Sequence, residues 1–307
     1  MNHRRSFLKS VAAAVCVSGS PSVRCCAASA ATGFRLNYVL ASPLYGTTLL
    51  AEVLPEVHKT GATALDIWPR RHADHREQVD AMGHERFLEL LQASGVKLGV
   101  ITRFDLGPYR LREEMDVLRK LGGRMLVTGA EATAGDTLRQ KVWNFVESLK
   151  PHVETAAESG LTIAIENHAS LLIDSADAIR YFAEFAPAEH LGLALAPYHL
   201  PQDPALLAGL ISDLGPKLAL FYAWQHGNGC MSAQPKEQEL LQLPGRGQLD
   251  FGPLLAALKK INYSGWTEIF MHPFPRGISI LESTERVTAA VNESRQYLDR
   301  LAAGLGC

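Results

Sequence analysis

Residues 142–166 read VWNFVESLKPHVETAAESGLTIAIE and contain one complete unit of the pattern that decides the fold. The first half places apolar side chains at helical spacing, at Val142, Phe145, Val146, Leu149 and Val153. Gly160 then ends the predicted helix, and Leu161–Glu166 is a short apolar run typical of a buried strand. The stretch therefore predicts a helix that passes through a glycine into a strand of the core.

The same unit repeats along the chain. Eight runs have strand character: Arg35–Ala41, Thr63–Ile67, Lys97–Thr102, Arg124–Thr128, Leu161–Glu166, Leu191–Leu195, Lys217–Ala223 and Trp266–Phe270. Glycines at positions 61, 95, 123, 160, 215 and 265 precede six of them, as helix C-caps do. Eight strand–helix units predict an α/β fold, a single-domain (β/α)8 TIM barrel over residues 33–303. A doubly wound sheet is the alternative, but no Gly-x-Gly-x-x-Gly follows the first run, so we expect no nucleotide cofactor.

Composition excludes several classes of protein. The 307 residues are 47% hydrophobic and 20% charged, which excludes a disordered chain, a collagen and a coiled coil. The net charge of −2 comes without a basic tract, so we expect no nucleic-acid partner. No apolar run approaches the roughly 18 residues that a membrane-spanning helix needs.

Residues 1–30 resemble a twin-arginine signal peptide. Arg4 and Arg5 precede Phe7-Leu8-Lys9, and residues 28–30 (Ala-Ser-Ala) form a small-x-small cleavage site. We therefore expect the export machinery to recognise the precursor, and the mature chain to begin near residue 31 in the periplasm or outside the cell. The segment carries four basic and no acidic side chains, which leaves 26 basic and 32 acidic side chains in the mature chain.

Polar and aromatic side chains collect at the carboxyl ends of the runs, where TIM barrels place their active sites. They include Asp66, Trp68, Arg103, Glu166, Asn167, His168, His199, Tyr222, Trp224, Gln225, His226, Glu268 and His272. Carboxylates and histidines that converge from different strands indicate a divalent-metal site or an acid/base site. His72 and His75, in the charged stretch Arg-Arg-His-Ala-Asp-His-Arg, are instead expected in a solvated loop.

Four segments carry a family resemblance: residues 163–168 (IAIENH), 191–195 (LGLAL), 244–251 (PGRGQLDF) and 265–268 (GWTE). They resemble the xylose-isomerase-like TIM barrel superfamily, in particular its sugar phosphate isomerase/epimerase members, over essentially the whole mature chain. The resemblance implies a carbohydrate enzyme in which Glu, Asp, His and Glu at the ends of strands five to eight hold a divalent ion. It also implies that the two glutamates move a proton at the carbon next to a carbonyl.

Two of these four positions match. Glu166 and Glu268 are present, but Ala196 stands where the family has Asp, and Tyr222 stands where it has His. Strand parity places His226 on the same face as Tyr222, which predicts a Mn, Zn or Mg site formed by Glu166, His226 and Glu268. The alternative is a site without metal, in which repulsion between the glutamates raises the pKa of one of them and leaves a usable general acid.

These observations predict an exported sugar isomerase or epimerase with Glu166 and Glu268 as catalytic residues. The residues predicted to bind a small-molecule carbohydrate are Trp68, Arg103, His168, His199, Trp224 and His272. For Glu166, an ion pair with Arg103 is the structural alternative. A keto-sugar lyase or hydrolase on the same fold, and a carbohydrate-binding barrel without catalysis, remain as alternative functions. The sequence leaves the sugar, the metal and the oligomeric state open.

Overall fold

The computed structural model describes residues 33–187 and 189–305, so the predicted signal peptide lies outside the described residues. Eight strands form the centre of the fold: β1 (Asn37–Ala41), β2 (Ala64–Ile67), β3 (Lys97–Thr102), β4 (Met125–Gly129), β5 (Thr162–Glu166), β6 (Leu191–Leu195), β7 (Leu218–Ala223) and β8 (Trp266–Ile269). Each coincides with a predicted run to within two residues. The strands are short and almost wholly buried, because helices cover the sheet from outside.

The strands pair in parallel and in chain order, and the sheet closes when β1 pairs with β8. Asn37 lies opposite Trp266 at this closure, and Val39 lies opposite Glu268. A closed sheet of eight parallel strands is a TIM barrel, so the predicted fold class is confirmed.

Helices surround the barrel: α1 (Leu50–Val53), α2 (His75–Met82), α3 (His84–Ser94), α4 (Arg112–Lys120), α5 (Leu138–Glu158), α6 (Ala176–Phe185), α7 (Pro204–Leu214), α8 (Lys236–Glu239), α9 (Gly252–Lys260) and α10 (Thr284–Gly304). The side chain of Thr137 caps α5 by accepting a hydrogen bond from the Gln140 amide. Val142, Phe145 and Leu149 of its apolar stripe are fully buried. None of the helices in the described ranges is both long and apolar enough to cross a membrane.

The glycines before the strands have two different roles. Gly95 ends α3 with φ of 68°, a left-handed conformation that favours glycine, as predicted. Gly265 does not end a helix in this way, because Asn262 takes the left-handed conformation after α9, with φ of 54°. A Cβ at Gly265 would lie 2.7 Å from the Ala219 carbonyl oxygen, so this glycine serves close packing instead.

Candidate active site

Three carboxyl groups and one phenol meet inside the barrel at the carboxyl ends of the strands. We call Asp66 of β2, Glu166 of β5, Glu268 of β8 and Tyr222 of β7 the carboxyl cluster. All four side chains are at most 3% exposed. Tyr222 and Glu268 are register partners on adjacent strands, and the charges of Asp66 and Glu166 act on both. The barrel thus gathers the two glutamates, which the sequence predicted to be catalytic, into one cluster.

Hydrogen bonds fix Asp66 but leave most of this cluster unsatisfied. The indole Nε1 of Trp68 and the hydroxyl of Thr102 both donate to Oδ2 of Asp66, over 2.6 and 2.7 Å. Among the described residues, Oδ1 of Asp66, both oxygens of Glu268 and the Tyr222 hydroxyl find no hydrogen-bond partner. Buried polar atoms rarely remain unpaired, so this group of free oxygens marks a place where a ligand binds or a proton moves.

Burial changes the acidity of all three carboxyl groups. It raises the pKa of Glu166 from 4.5 to about 7. Burial likewise raises the pKa of Asp66 to about 7. The pKa of Glu268 lies well above its ordinary value because burial acts together with the charges of Asp66 and Glu166. The raised pKa of Glu268 favours its protonated form, and Glu166 is partly ionised near neutral pH, so the pair can supply an acid and a base.

A layer of rings covers the carboxyl cluster. The mouth cluster consists of His72, His168, His199, His272, Trp68 and Trp224. The ring centroids of His168 and His199 are 4.0 Å apart, and those of His72 and His272 are 4.6 Å apart. Nε2 of His199 lies 3.6 Å from Oε1 of Glu166 and connects the two layers. Five of the six residues predicted to bind sugar therefore share one ring cluster, which contacts Glu166 through His199.

The four imidazoles are neutral at physiological pH. Burial, helped by the positive charge of Arg276, lowers the pKa of His72 to about 4. Burial also lowers the pKa of His199 to about 4 and that of His272 well below the ordinary value. A neutral imidazole offers one N–H donor and one acceptor nitrogen, as a polar ligand requires.

Stacking and a hydrogen bond hold the ring of Trp224 in place. Trp224 stacks on Tyr198 with a centroid distance of 4.0 Å, and its Nε1 donates to Gln242 Oε1 over 3.1 Å. The ring of His272 meets Trp224 edge-on at 5.3 Å. Gln242 also donates to the carbonyl of His272, so one buried amide joins the loops that follow β7 and β8. Nothing in the sequence around Gln242 indicated this role.

The guanidinium of Arg103 bonds to acidic residues outside the two clusters, so its role in sugar binding stays a prediction. Its guanidinium donates to Glu114 over 2.7 Å and to Asp105 over 2.8 Å, not to Glu166. Glu114, from α4, also accepts a hydrogen bond from Arg76 over 2.6 Å. The buried Glu114 carboxylate thus pairs with both arginines, and the alternative ion pair between Arg103 and Glu166 does not form.

His226 does not lie on the face of β7 that the sequence predicted for it. Strand β7 ends at Ala223, and the Trp224 amide bonds back to the Tyr222 carbonyl, which turns the chain and ends the strand parity. The exposed His226 ring instead stacks on the outer side of Tyr198 at 5.0 Å. The predicted metal site of Glu166, His226 and Glu268 therefore does not assemble.

The remaining residues do not fit the divalent ion that the family resemblance implies. Ala196 brings no donor atom, and its backbone N–H and carbonyl are both taken by the Asn167 amide. Tyr222 stays a neutral phenol, because burial raises its pKa well above 10. Within residues 33–187 and 189–305, no three His, Cys, Asp or Glu side chains form a group that could hold a metal ion.

This misfit predicts weak metal binding. Adding excess Mn²⁺ or Zn²⁺ is expected to leave the thermal unfolding midpoint unchanged, because an ion that does not bind the native state cannot stabilise it. The double variant Ala196→Asp, Tyr222→His restores the two missing donor types and serves as the comparison. A clear rise of the midpoint for the wild-type protein would contradict the prediction.

Two further histidines lie elsewhere than expected. His72 is half-buried in the mouth cluster, 5.4 Å from the ring of Trp68, and not in a solvated loop. His75 is buried at the start of α2, where Nε2 donates to the Thr48 carbonyl over 2.8 Å. The charged stretch around them folds over the barrel mouth, a tertiary arrangement that local charge does not indicate.

The motif Pro-Gly-Arg-Gly-Gln-Leu-Asp-Phe orders the loop beside the site. Gln225, just after β7, accepts a hydrogen bond from the Leu249 amide over 2.9 Å and donates to the Leu243 carbonyl over 2.6 Å. A Cβ at Gly247 would lie 2.5 Å from Gln225 Oε1. Only glycine leaves room for this amide, which explains why the motif requires it there.

Solved structures with the same barrel include several sugar-converting enzymes. An L-ribulose 3-epimerase superposes with a TM-score of 0.65 at 15% identity, covering 88% of this chain and 96% of its own. The 3-keto-D-glucoside 4-epimerase of E. coli gives 0.61 at 15% identity, covering 88% and 100%. The IOLI protein with a bound zinc atom gives 0.64 at 15% identity, covering 88% and 98%. At this identity the likeness shows the fold alone.

No curated protein sequence is significantly similar to this chain. The family model described as xylose isomerase-like TIM barrel matches residues 54–297, which is most of the chain. The closed barrel and this match together show that the protein belongs to the xylose isomerase-like TIM barrel family.

Proposed function

We propose that the protein is a sugar isomerase or epimerase that transfers a proton at the carbon next to a carbonyl, with Glu166 and Glu268 as the catalytic residues. One observation carries the proposal: two buried glutamates with raised pKa values share the barrel interior with free polar oxygens around them. The sugar epimerases among the similar structures support the reaction class.

In the proposed reaction, Glu166 takes the proton from carbon, because its pKa of about 7 leaves a useful fraction ionised at neutral pH. Glu268 keeps its own proton and donates it to the carbonyl oxygen as the enediol forms. Asp66, held by Trp68 and Thr102, lies beside Glu268 and keeps its pKa high. Glu166 then gives its proton to the former carbonyl carbon while Glu268 takes the hydroxyl proton from the other carbon, which completes isomerisation. If Glu268 instead takes back the proton it gave, while solvent protonates the opposite face of the original carbon and Glu166 releases its proton to solvent, the product is the epimer.

Solvent deuterium uptake tests this proposal. Keto- and aldo-sugars incubated with the enzyme in D₂O are expected to gain deuterium at the carbon beside the carbonyl. Formation of an unsaturated or cleaved product would instead indicate the lyase or hydrolase alternative. Tight sugar binding without deuterium uptake would indicate a carbohydrate-binding barrel without catalysis. Ala196 and Tyr222, which stand where the family has Asp and His, are the reason to test for this outcome.

The acidity of the glutamates predicts the pH dependence of the rate. We expect kcat/KM to rise as the pH increases through about 7, because Glu166 becomes ionised and acts as the base. It is expected to fall again at higher pH, where Glu268 loses the proton it donates. A pH–rate profile in D₂O and H₂O measures both limbs. A rate that falls as the pH rises through about 7 would contradict the assignment of Glu166 as base.

We further propose that the protein is exported by the twin-arginine route. The basis is the Arg4-Arg5 pair and the small residues at positions 28–30. Changing both arginines to lysine keeps the charge but removes the guanidinium groups, and is expected to trap the precursor in the cytoplasm. Cell fractionation with an antibody measures this, with Arg24→Lys as the control. Normal export of the double variant would refute the proposal.

A further inference from the structure

The phenol of Tyr222 is buried inside the barrel with its hydroxyl unused. The side chain is 1% exposed, and its ring meets the ring of Phe270 edge-on with a centroid distance of 5.5 Å. Among the described residues, the hydroxyl finds no hydrogen-bond partner. A buried hydroxyl without a partner costs stability, so this one indicates contact with a ligand and not a role in holding the fold together.

The donors around Asp66 are already engaged, whereas that of Tyr222 is free. Nε1 of Trp68 and the hydroxyl of Thr102 both donate to Oδ2 of Asp66. Tyr222 instead lies beside Glu268, because the two are register partners on adjacent parallel strands, about 4.8 Å apart. Both side chains are buried inside the barrel. An unused O–H donor therefore lies next to the carboxyl group that is proposed to protonate the substrate.

The position of the phenol is linked to that of Ala196. Strands β6 and β7 pair Leu195 with Phe221, so the next step of the same register brings Ala196 beside Tyr222. Ala196 is fully buried and stands where the family resemblance implies an Asp, as Tyr222 stands where it implies a His. The smaller side chain at 196 leaves room for the larger one at 222. The two departures from the family therefore fit each other.

The proposed reaction needs a group that stabilises negative charge on oxygen. Removal of a proton next to a carbonyl drives charge onto the carbonyl oxygen, and the donor set of this barrel does not fit the divalent ion that the resemblance implies for that task. A phenol offers an alternative, because its O–H can donate to the developing oxyanion in a site shielded from water. Burial raises the pKa of Tyr222 well above 10, so the hydroxyl keeps its proton.

We propose that Tyr222 is a third catalytic residue, whose hydroxyl donates a hydrogen bond to the substrate carbonyl oxygen and supplies the charge stabilisation that the family resemblance assigns to a metal ion. This inference rests on the proposed function and names the group that makes the reaction independent of metal. As Glu166 takes the proton from carbon, the C–H electron pair forms the new C=C bond and the carbonyl π electrons move to oxygen. The oxygen receives the proton of Glu268, while Tyr222 keeps its own and donates a stronger hydrogen bond.

Replacement of Tyr222 by phenylalanine removes only the hydroxyl and tests the proposal. We expect kcat for deuterium uptake to fall by about 100- to 1,000-fold, the effect of losing one oxyanion donor, with little change in KM. The thermal unfolding midpoint should stay the same or rise, because no hydrogen bond is lost. Tyr38→Phe is the matched control. Its hydroxyl donates to Asp299 of α10 over 2.8 Å, so the midpoint should fall while the rate stays unchanged.

Three results would overturn the proposal. Deuterium uptake by Tyr222→Phe at the wild-type rate would show that the hydroxyl takes no part. A fall of its midpoint like that of Tyr38→Phe would show that the hydroxyl holds the fold. Loss of wild-type uptake in EDTA, restored by Mn²⁺, would show that an ion stabilises the charge. Wild-type uptake that persists in EDTA and is lost in a stable Tyr222→Phe protein supports the proposal.

An enediol mimic separates this inference from the proposed function. The hydroxamate of D-erythronic acid copies the planar pair of oxygens of an enediol, and calorimetry in EDTA measures its binding to the mature protein. Tyr222→Phe should weaken binding by about 10- to 100-fold, the worth of a hydrogen bond to a charged group. If the mimic binds through Tyr222 but no sugar gains deuterium, the phenol is an oxygen-binding residue and the isomerase proposal fails. If sugars gain deuterium equally in both proteins, the isomerase proposal stands and the role of Tyr222 is refuted.

Discussion

Replacement of Glu166 by glutamine is expected to lower solvent deuterium exchange into the sugar by about 100- to 10,000-fold, the usual contribution of a general base. The amide keeps the size of the carboxyl group but cannot accept a proton. Because Glu166 is buried with a raised pKa, the neutral amide should also be tolerated by its surroundings. Exchange followed by NMR gives the rate, and circular dichroism verifies that the barrel is intact.

Glu158→Gln provides the matched control. It makes the same chemical change on the exposed end of α5, and should leave the exchange rate unchanged. A folded Glu166→Gln protein that exchanges deuterium at the wild-type rate would mean that the cluster is real but that another group removes the proton.

The second large effect is expected on stability. Glu114→Ala should lower the free energy of unfolding by about 3–5 kcal/mol, the cost of breaking a buried ion pair. Its carboxylate accepts from Arg76 and Arg103, whose side chains are only 7% and 14% exposed. The variant would leave two poorly solvated guanidinium groups without their common partner. Urea denaturation followed by fluorescence measures the loss.

Glu113→Ala is the control for this experiment, because Glu113 is the exposed neighbour on the same helix. It should change the unfolding free energy by less than about 0.5 kcal/mol, as surface substitutions do. If the two variants were equally stable, the ion pairs of Glu114 would make no net contribution to the free energy of unfolding.

Local pattern was sufficient to predict the barrel, because strand and helix periodicity are properties of neighbouring residues. Leu161–Glu166 illustrates this: the run became β5, and its last residue reached the barrel interior as expected. The two glutamates could be identified because Glu166 is the last residue of β5 and Glu268 is the last but one of β8. Their meeting then follows from closure of the sheet and needs no further information.

The errors come from contacts that local pattern does not contain. The alternation of strand faces does not extend to His226, because β7 ends at Ala223 and the chain turns at Trp224. The alternative ion pair between Arg103 and Glu166 does not form, because Arg103 pairs with Glu114, which belongs to the following helix. Asp66, next to the last residue of its predicted run, was noted as a polar residue at a run end but was not assigned to the site.

The pairing of β1 with β8 has a consequence for the order of folding. Asn37 finds its partner Trp266 only after nearly the whole chain has left the ribosome. Until then both edges of the growing sheet present unpaired backbone groups that other chains can bind. Contacts between such distant residues also form slowly, since a long loop must close first. We therefore expect the nascent chain to pass through an open-edged intermediate, during which a chaperone that masks strand edges would raise the yield of closed barrels.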